Sequence, residues 1–95
     1  MAEIIGTFLR DAPALLKTIR AALEHEEAEE LRRAAHTLKS NGRIFGATRL
    51  AELCQELEAM ATAETHPGAA DLVAQLDGEY ARVEGALRAA EQGMT

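Results

Sequence analysis

The residues best placed to do chemistry lie in "LRRAAHTLKSNGRIFGA", residues 31–47, around one imidazole, His36. A helix advances about 100° per residue. Measured from the apolar stripe Leu31, Ala35, Leu38, Gly42 and Phe45, His36 falls roughly 140° away, on the side facing water. Arg32, Lys39 and Arg43 fall at roughly 100°, 80° and 120°, and Ser40 at about 180°. The imidazole therefore stands among three cations on an otherwise acidic chain. Helical side chains lean toward the amino terminus, so residue 40 lies over the patch beside His36. A serine there leaves the ring open, where leucine or arginine would cover it.

Phosphoryl transfer is the chemistry such a cluster suits. Imidazole, with a reference pKa of about 6.5, is largely neutral near pH 7 and offers one nitrogen for attack on phosphorus. The reaction asks little more than position and positive charge near the equatorial oxygens, which Lys39 can supply. An exposed histidine on a cation-rich helix is also ordinary surface. Geometry alone leaves both readings open.

The elements that must position this cluster are helices. A short one is expected at about residues 3–10, with Ile4, Ile5, Phe8 and Leu9 on one apolar side. Asp11 and Pro13 then read as the cap and first turn of a new helix at about 12–25, burying Leu15, Leu16, Ile19 and Leu23. The acidic run "EHEEAEE" connects to a helix at about 28–45, which Gly46 stops or kinks. Leu50, Leu53, Cys54, Leu57 and Met60 mark a further helix at about 48–63. "ETHPGAAD" breaks the pattern before a last helix at about 69–91, carrying Leu72, Leu76, Tyr80, Val83 and Leu87. Short connections make neighbours antiparallel, so the fold class expected is all-α: an up-down four-helix bundle with a short extra N-terminal helix.

Bulk properties narrow the function. The 95 residues suffice for one small domain, and 47% hydrophobic content with only 3% aromatics implies an aliphatic, alanine-rich core suited to helices. A net charge of -6 has the wrong sign for binding nucleic acid by counterion release. One cysteine precludes an internal disulfide, and no signal peptide or membrane span is read, which makes a cytoplasmic monomer the expectation. Cys54 sits on an apolar stripe as a small hydrophobe. Gly42 lies on the core stripe, where a close helix approach would justify its cost of roughly 1 kcal/mol relative to alanine. His25 and His66 lack a second ligand at metal-site spacing, so no metal or other cofactor is expected.

"AHTLKSNGRIFGATRLAELCQELE" closely resembles the signature of the histidine-containing phosphotransfer domain, the HPt module of two-component phosphorelays. The positions carrying it are His36, Leu38, Lys39, Ser40, Asn41, Gly42, Phe45, Gly46, Leu50, Cys54, Leu57 and Glu58. "FLRDAPALLKTIRAAL" and "LRRAAH" extend the likeness over roughly residues 3–62, and the last helix matches in pattern only. The resemblance implies a four-helix bundle whose exposed histidine accepts a phosphoryl group from a receiver-domain aspartate and passes it to another receiver. By position His36 would be phosphorylated, Lys39 would help hold the phosphoryl group, and Ser40 would be the small residue that gives access. Arg32 and Arg43 are the cations expected to meet the receiver. Phe8 and Leu9 either join the core or extend an apolar rim for docking. Arg43 and Ile44 depart from the family, where those positions are usually small or polar.

Two other readings share the sequence. A phosphoacceptor domain of a chemotaxis-type kinase, phosphorylated directly by an ATP-binding domain, resembles this chain around the histidine. A non-catalytic helical docking module is the reading from another class, and the intact His36 and Lys39 argue against it. A metal-dependent enzyme stands further off. Nothing resembles a glycine-rich nucleotide loop, so a phosphohistidine carrier without kinase activity of its own is expected.

Overall fold

Heptad-like stripes of leucine and alanine, with no strand-forming run to compete, resolve among the described residues into four helices: α1 (Ala2–Glu24), α2 (Ala28–Ile44), α3 (Thr48–Ala63) and α4 (Ala69–Gly93). The computed structural model describes residues 2–63 and 68–93. Among the described residues, α1 packs on α2 and α4, and α3 on the same two, with no diagonal contact. That ring, closed by tight turns at residues 25–27 and 45–47, is the antiparallel up-down bundle. It measures 45 × 18 × 17 Å. His66 lies outside the described residues.

Each helix buries one stripe. Ile19, Leu31, Leu38, Leu50, Leu53, Leu57 and Leu76 are fully buried, and no charged side chain joins them among the described residues. At one end of the core Phe8 meets Phe45 with ring centroids 5.1 Å apart and Tyr80 at 6.0 Å, both tilted.

The short N-terminal helix expected at about 3–10 is not separate. It runs unbroken into the first bundle helix, with Pro13 inside α1 and Asp11 capping nothing. The physical reason is the core stripe. Ile5, Phe8, Leu9, Ala12, Leu16 and Ile19 keep helical spacing across the proline, and all six are buried. Pro13 itself is exposed, so the hydrogen bond it cannot donate to Leu9 is lost on the wet side.

Helix α2 ends as its glycine demands. Gly46 has φ 67°, Gly46 N donates to the Arg43 carbonyl at 3.1 Å, and Ala47 N reaches back to the Gly42 carbonyl at 3.0 Å. This is a Schellman turn, which a Cβ at residue 46 would strain. The same bonds close α1 around Glu26, which adopts φ 54° without being glycine.

Candidate functional site

The helix carrying His36 is set by its ends and by one close contact. Glu29 and Glu30 occupy its first turn and Arg43 its last, each suiting the helix dipole. Gly42 packs against α3. A Cβ built on it would stand 3.1 Å from Leu50 Cδ2, tighter than ordinary contact, so the missing side chain lets the two helices approach.

Six residues back along α2, and eight forward along the antiparallel α3, His36 and Glu58 face each other across the same seam. His36 Nδ1 lies 2.7 Å from Glu58 Oε2, and Lys39 Nζ lies 2.5 Å from Glu58 Oε1. One carboxylate thus serves two donors, one with each oxygen. His36 keeps 56% of its side chain exposed, whereas Lys39 keeps 12% and Glu58 19%. The exposed ring stands on a sheltered ion pair.

The hydrogen bond from Lys39, and behind it that from His36, hold the Glu58 carboxyl below the usual carboxylate range against the opposing effect of burial. Glu58 is therefore ionised at neutral pH and can only accept hydrogen bonds. Nδ1 must then be the protonated nitrogen of the neutral ring, which puts the lone pair on Nε2. The contact selects a tautomer. It also fixes the ring's direction.

The expected setting of His36 is thereby revised. Three cations around an open ring were anticipated. Lys39, at the margin of the core stripe, instead turns into the α2–α3 seam. Arg32 is paired with Glu29 at 2.6 Å, and Arg43 leans toward Gln55 at 3.4 Å. Ser40 is exposed. Phe8 and Leu9, which the sequence left open between core and docking rim, are both core, 3% and 9% exposed, because they lie on the continuous α1 stripe. Ile4, grouped with them, is instead 46% exposed. Cys54, one turn before Glu58, is fully buried, and burial pushes its thiol up to about 12. That excludes it as a ready nucleophile. Among the described residues His25 Nδ1–H donates to the Ala21 carbonyl at 2.8 Å, and no three His, Cys, Asp or Glu side chains gather as metal ligands.

Comparison with known proteins agrees with this geometry. The Hpt domain family matches residues 3–86. The chain belongs to the Hpt domain family. A solved structure of histidine-containing phosphotransfer protein B (HptB) from Pseudomonas aeruginosa PAO1 is similar at 32% identity and a TM-score of 0.92, over 96% of this chain and 79% of that one. Comparison with curated proteins gives no match. As an Hpt domain the chain is a histidine phosphotransfer intermediate of a phosphorelay, a class of module that interacts with receiver domains. None of its described helices is long and apolar enough to cross a membrane.

The positioning residue that pattern reading missed is Glu58. It was visible as a matched position in the family signature, but nothing in α3 alone marks it as a partner of His36. The signal available was its place at the margin of the α3 stripe, one residue past Leu57, facing the matching margin position Lys39 of an adjacent helix.

Proposed function

We propose that His36 is the phosphorylated residue of this Hpt domain and that it attacks through Nε2. The observation carrying the proposal is the 2.7 Å contact between His36 Nδ1 and Glu58, which leaves Nε2 unprotonated on an exposed ring. The donor is the phosphoaspartate of a receiver domain. As the Nε2–P bond forms, the aspartate O–P bond breaks and the aspartate leaves as a carboxylate. No proton needs to move. The ring gains positive character, which the Glu58 carboxylate offsets through Nδ1–H, and the reverse step returns the phosphoryl group to an aspartate of a second receiver.

Lys39 supports the transfer from beside the ring. It spends one N–H on Glu58 and has two others for phosphoryl oxygens. Ser40, small and exposed, leaves the approach open. The chain works in the cytoplasm as a monomer without cofactor, meeting receivers rather than nucleic acid or membrane.

The test is chemical. Phosphorylated receiver domains and phosphoramidate should both label the wild-type chain with an acid-labile, alkali-stable phosphoryl group. His36→Gln should abolish the label while shifting stability by less than about 0.5 kcal/mol, since the position is exposed. Label persisting on another residue would refute the assignment. Labelling by a chemotaxis-type kinase's catalytic domain, and by no receiver, would establish the other donor.

A further inference from the structure

The contact between His36 and Glu58 constrains the empty ring and the phosphorylated ring differently. In the empty ring Nδ1 lies 2.7 Å from Glu58 Oε2. A neutral imidazole has one N–H and satisfies the carboxylate by keeping it on Nδ1. Phosphorylation at Nε2 removes that freedom. A neutral phosphoimidazole has no N–H, so it would set the Nδ1 lone pair against a carboxylate oxygen at hydrogen-bond distance. Only the protonated ring, the phosphoimidazolium, keeps a donor there.

The carboxylate has no way out of this conflict. Its other oxygen is held by Lys39 Nζ at 2.5 Å, and the side chain is sheltered in the α2–α3 seam. It does not take up the proton itself, because the Lys39 hydrogen bond above all holds its carboxyl below the usual carboxylate range. The cations of α2 that would oppose an imidazolium are already engaged. Lys39 is paired with Glu58, Arg32 with Glu29, and Arg43 turns to Gln55 of α3. On α1, Glu3 and Asp11 share a groove with Asn41 and Ile44, farther along α2. Glu58 is the charge in direct contact with Nδ1.

Resting on the assignment of Nε2 above, we infer that Glu58 is a positioning residue for the phosphorylated state as well: it holds the proton on Nδ1 of the loaded ring, so that the stored phosphoryl group sits on an imidazolium. Loading takes up no proton, since the attacking Nδ1–H tautomer becomes the imidazolium as the Nε2–P bond forms. On return a receiver carboxylate oxygen attacks phosphorus and the N–P bond breaks. Its electron pair stays on Nε2, and the ring leaves neutral with its Nδ1 proton in place. A ring that had shed that proton would have to leave as imidazolate, a far poorer leaving group. Glu58 thus keeps the phosphoryl group transferable across the neutral range. The same protonation speeds its loss to water.

The experiment loads wild type, Glu58→Gln and Glu58→Ala to completion with phosphoramidate and removes the donor. Loss of label to water and the nitrogen shifts of the ring are then followed from mildly acid to mildly alkaline pH. An acceptor carboxylate at this distance favours the charged ring by about one pH unit or more. Loaded wild type should therefore keep its Nδ1 proton to a pH about one unit or more above that of loaded Glu58→Gln, whose amide NH2 favours the bare nitrogen, with Glu58→Ala between. On the alkaline side wild type should lose its label about tenfold faster than Glu58→Gln, and in acid, where the ring is protonated unaided, all three should converge. Hydrolysis needs no docked partner, so this profile does not report orientation toward a receiver, and circular dichroism reads the fold separately. Superimposable titrations and hydrolysis profiles in wild type and Glu58→Gln would overturn the inference, and so would a wild type that sheds its Nδ1 proton first. Label on Nδ1, or on another residue, would instead overturn the assignment of Nε2 on which the inference rests.

Discussion

Glu58→Gln should harm phosphotransfer more than Glu58→Ala, although glutamine is the closer mimic. The carboxylate serves two donors with two acceptor oxygens, His36 Nδ1 at 2.7 Å and Lys39 at 2.5 Å. An amide has one oxygen and one NH2. Lysine can only donate, so Lys39 claims the oxygen and the NH2 turns toward Nδ1. The ring then keeps its lone pair on Nδ1 and its proton on Nε2, the nitrogen that must attack. Restoring the reactive tautomer breaks that hydrogen bond and leaves a sheltered amide N–H facing Nδ1–H, at a cost of roughly 1–3 kcal/mol. At about 1.4 kcal/mol per decade, that is about 5- to 150-fold in rate, centred on about 30-fold. Alanine imposes no tautomer and loses mainly orientation, for which a loss near about tenfold is expected. The coupling to Lys39 makes the reasoning sharp. Lys39→Ala should slow the wild type about tenfold, yet in the Glu58→Gln background it should cost nothing or accelerate transfer, because the freed amide oxygen can turn to Nδ1–H. Labelling rates with phosphoramidate measure all four members of the cycle, and nitrogen chemical shifts of the ring report the tautomer. A Glu58→Gln variant that labels at the wild-type rate and keeps its proton on Nδ1 would refute the account.

Three further outcomes follow from the same coordinates. Ser40→Leu should stay folded, since the site is exposed and leucine favours helix, yet lose transfer from a receiver while keeping most labelling by phosphoramidate; equal loss with both donors would mean that the imidazole itself was disturbed. Tyr80 has a buried hydroxyl with no hydrogen-bond partner among the described residues, so Tyr80→Phe should be neutral or stabilising by up to about 1 kcal/mol in denaturant unfolding, and a clear loss would show that the hydroxyl is bonded. The Glu58 carboxyl is held below its ordinary 4.5, so its ionised form adds stability above that pH which is lost as the pH falls through the lowered value; the stability gap between wild type and Glu58→Gln should be constant near neutrality and close in acid.

What was legible in the sequence depended on whether the cause was local. The stripes Leu31 to Phe45 and Leu50 to Leu57 specify both their helices and their inward faces, because burial and helical period are written in one segment. Gly46 was readable as a stop for the same reason: its positive φ is a property of one residue. The misreadings came where a local signal competed with a longer one. Asp11 and Pro13 look like a helix start, but a buried stripe from Ile5 to Ile19 outweighs one missing hydrogen bond on the solvent side. Ile4 belongs to an apolar run by composition and to the surface by angle. Glu58 was hidden more deeply, since its partners lie on another helix and only the register of α2 against α3 brings them within 3 Å.

That register ties the packing to the chemistry. Gly42 faces Leu50 and His36 faces Glu58 at two points of one antiparallel seam, so the spacing allowed at the first is inherited at the second. A helix pair held apart by an ordinary side chain at residue 42 would place the Glu58 carboxylate farther from both Nδ1 and the Lys39 ammonium. Lys39 and Glu58 sit at the margins of their stripes, close enough to the core to be held by it and far enough out to stay charged, and the more exposed His36 ring stands on them. At the centre of the stripe a lysine and a glutamate would carry a desolvation cost that their mutual attraction need not repay. Fully in water the same pair would hold no fixed geometry. The margin of the seam is where a carboxylate can be sheltered enough to choose a tautomer while the imidazole it orients remains open to a partner's aspartate.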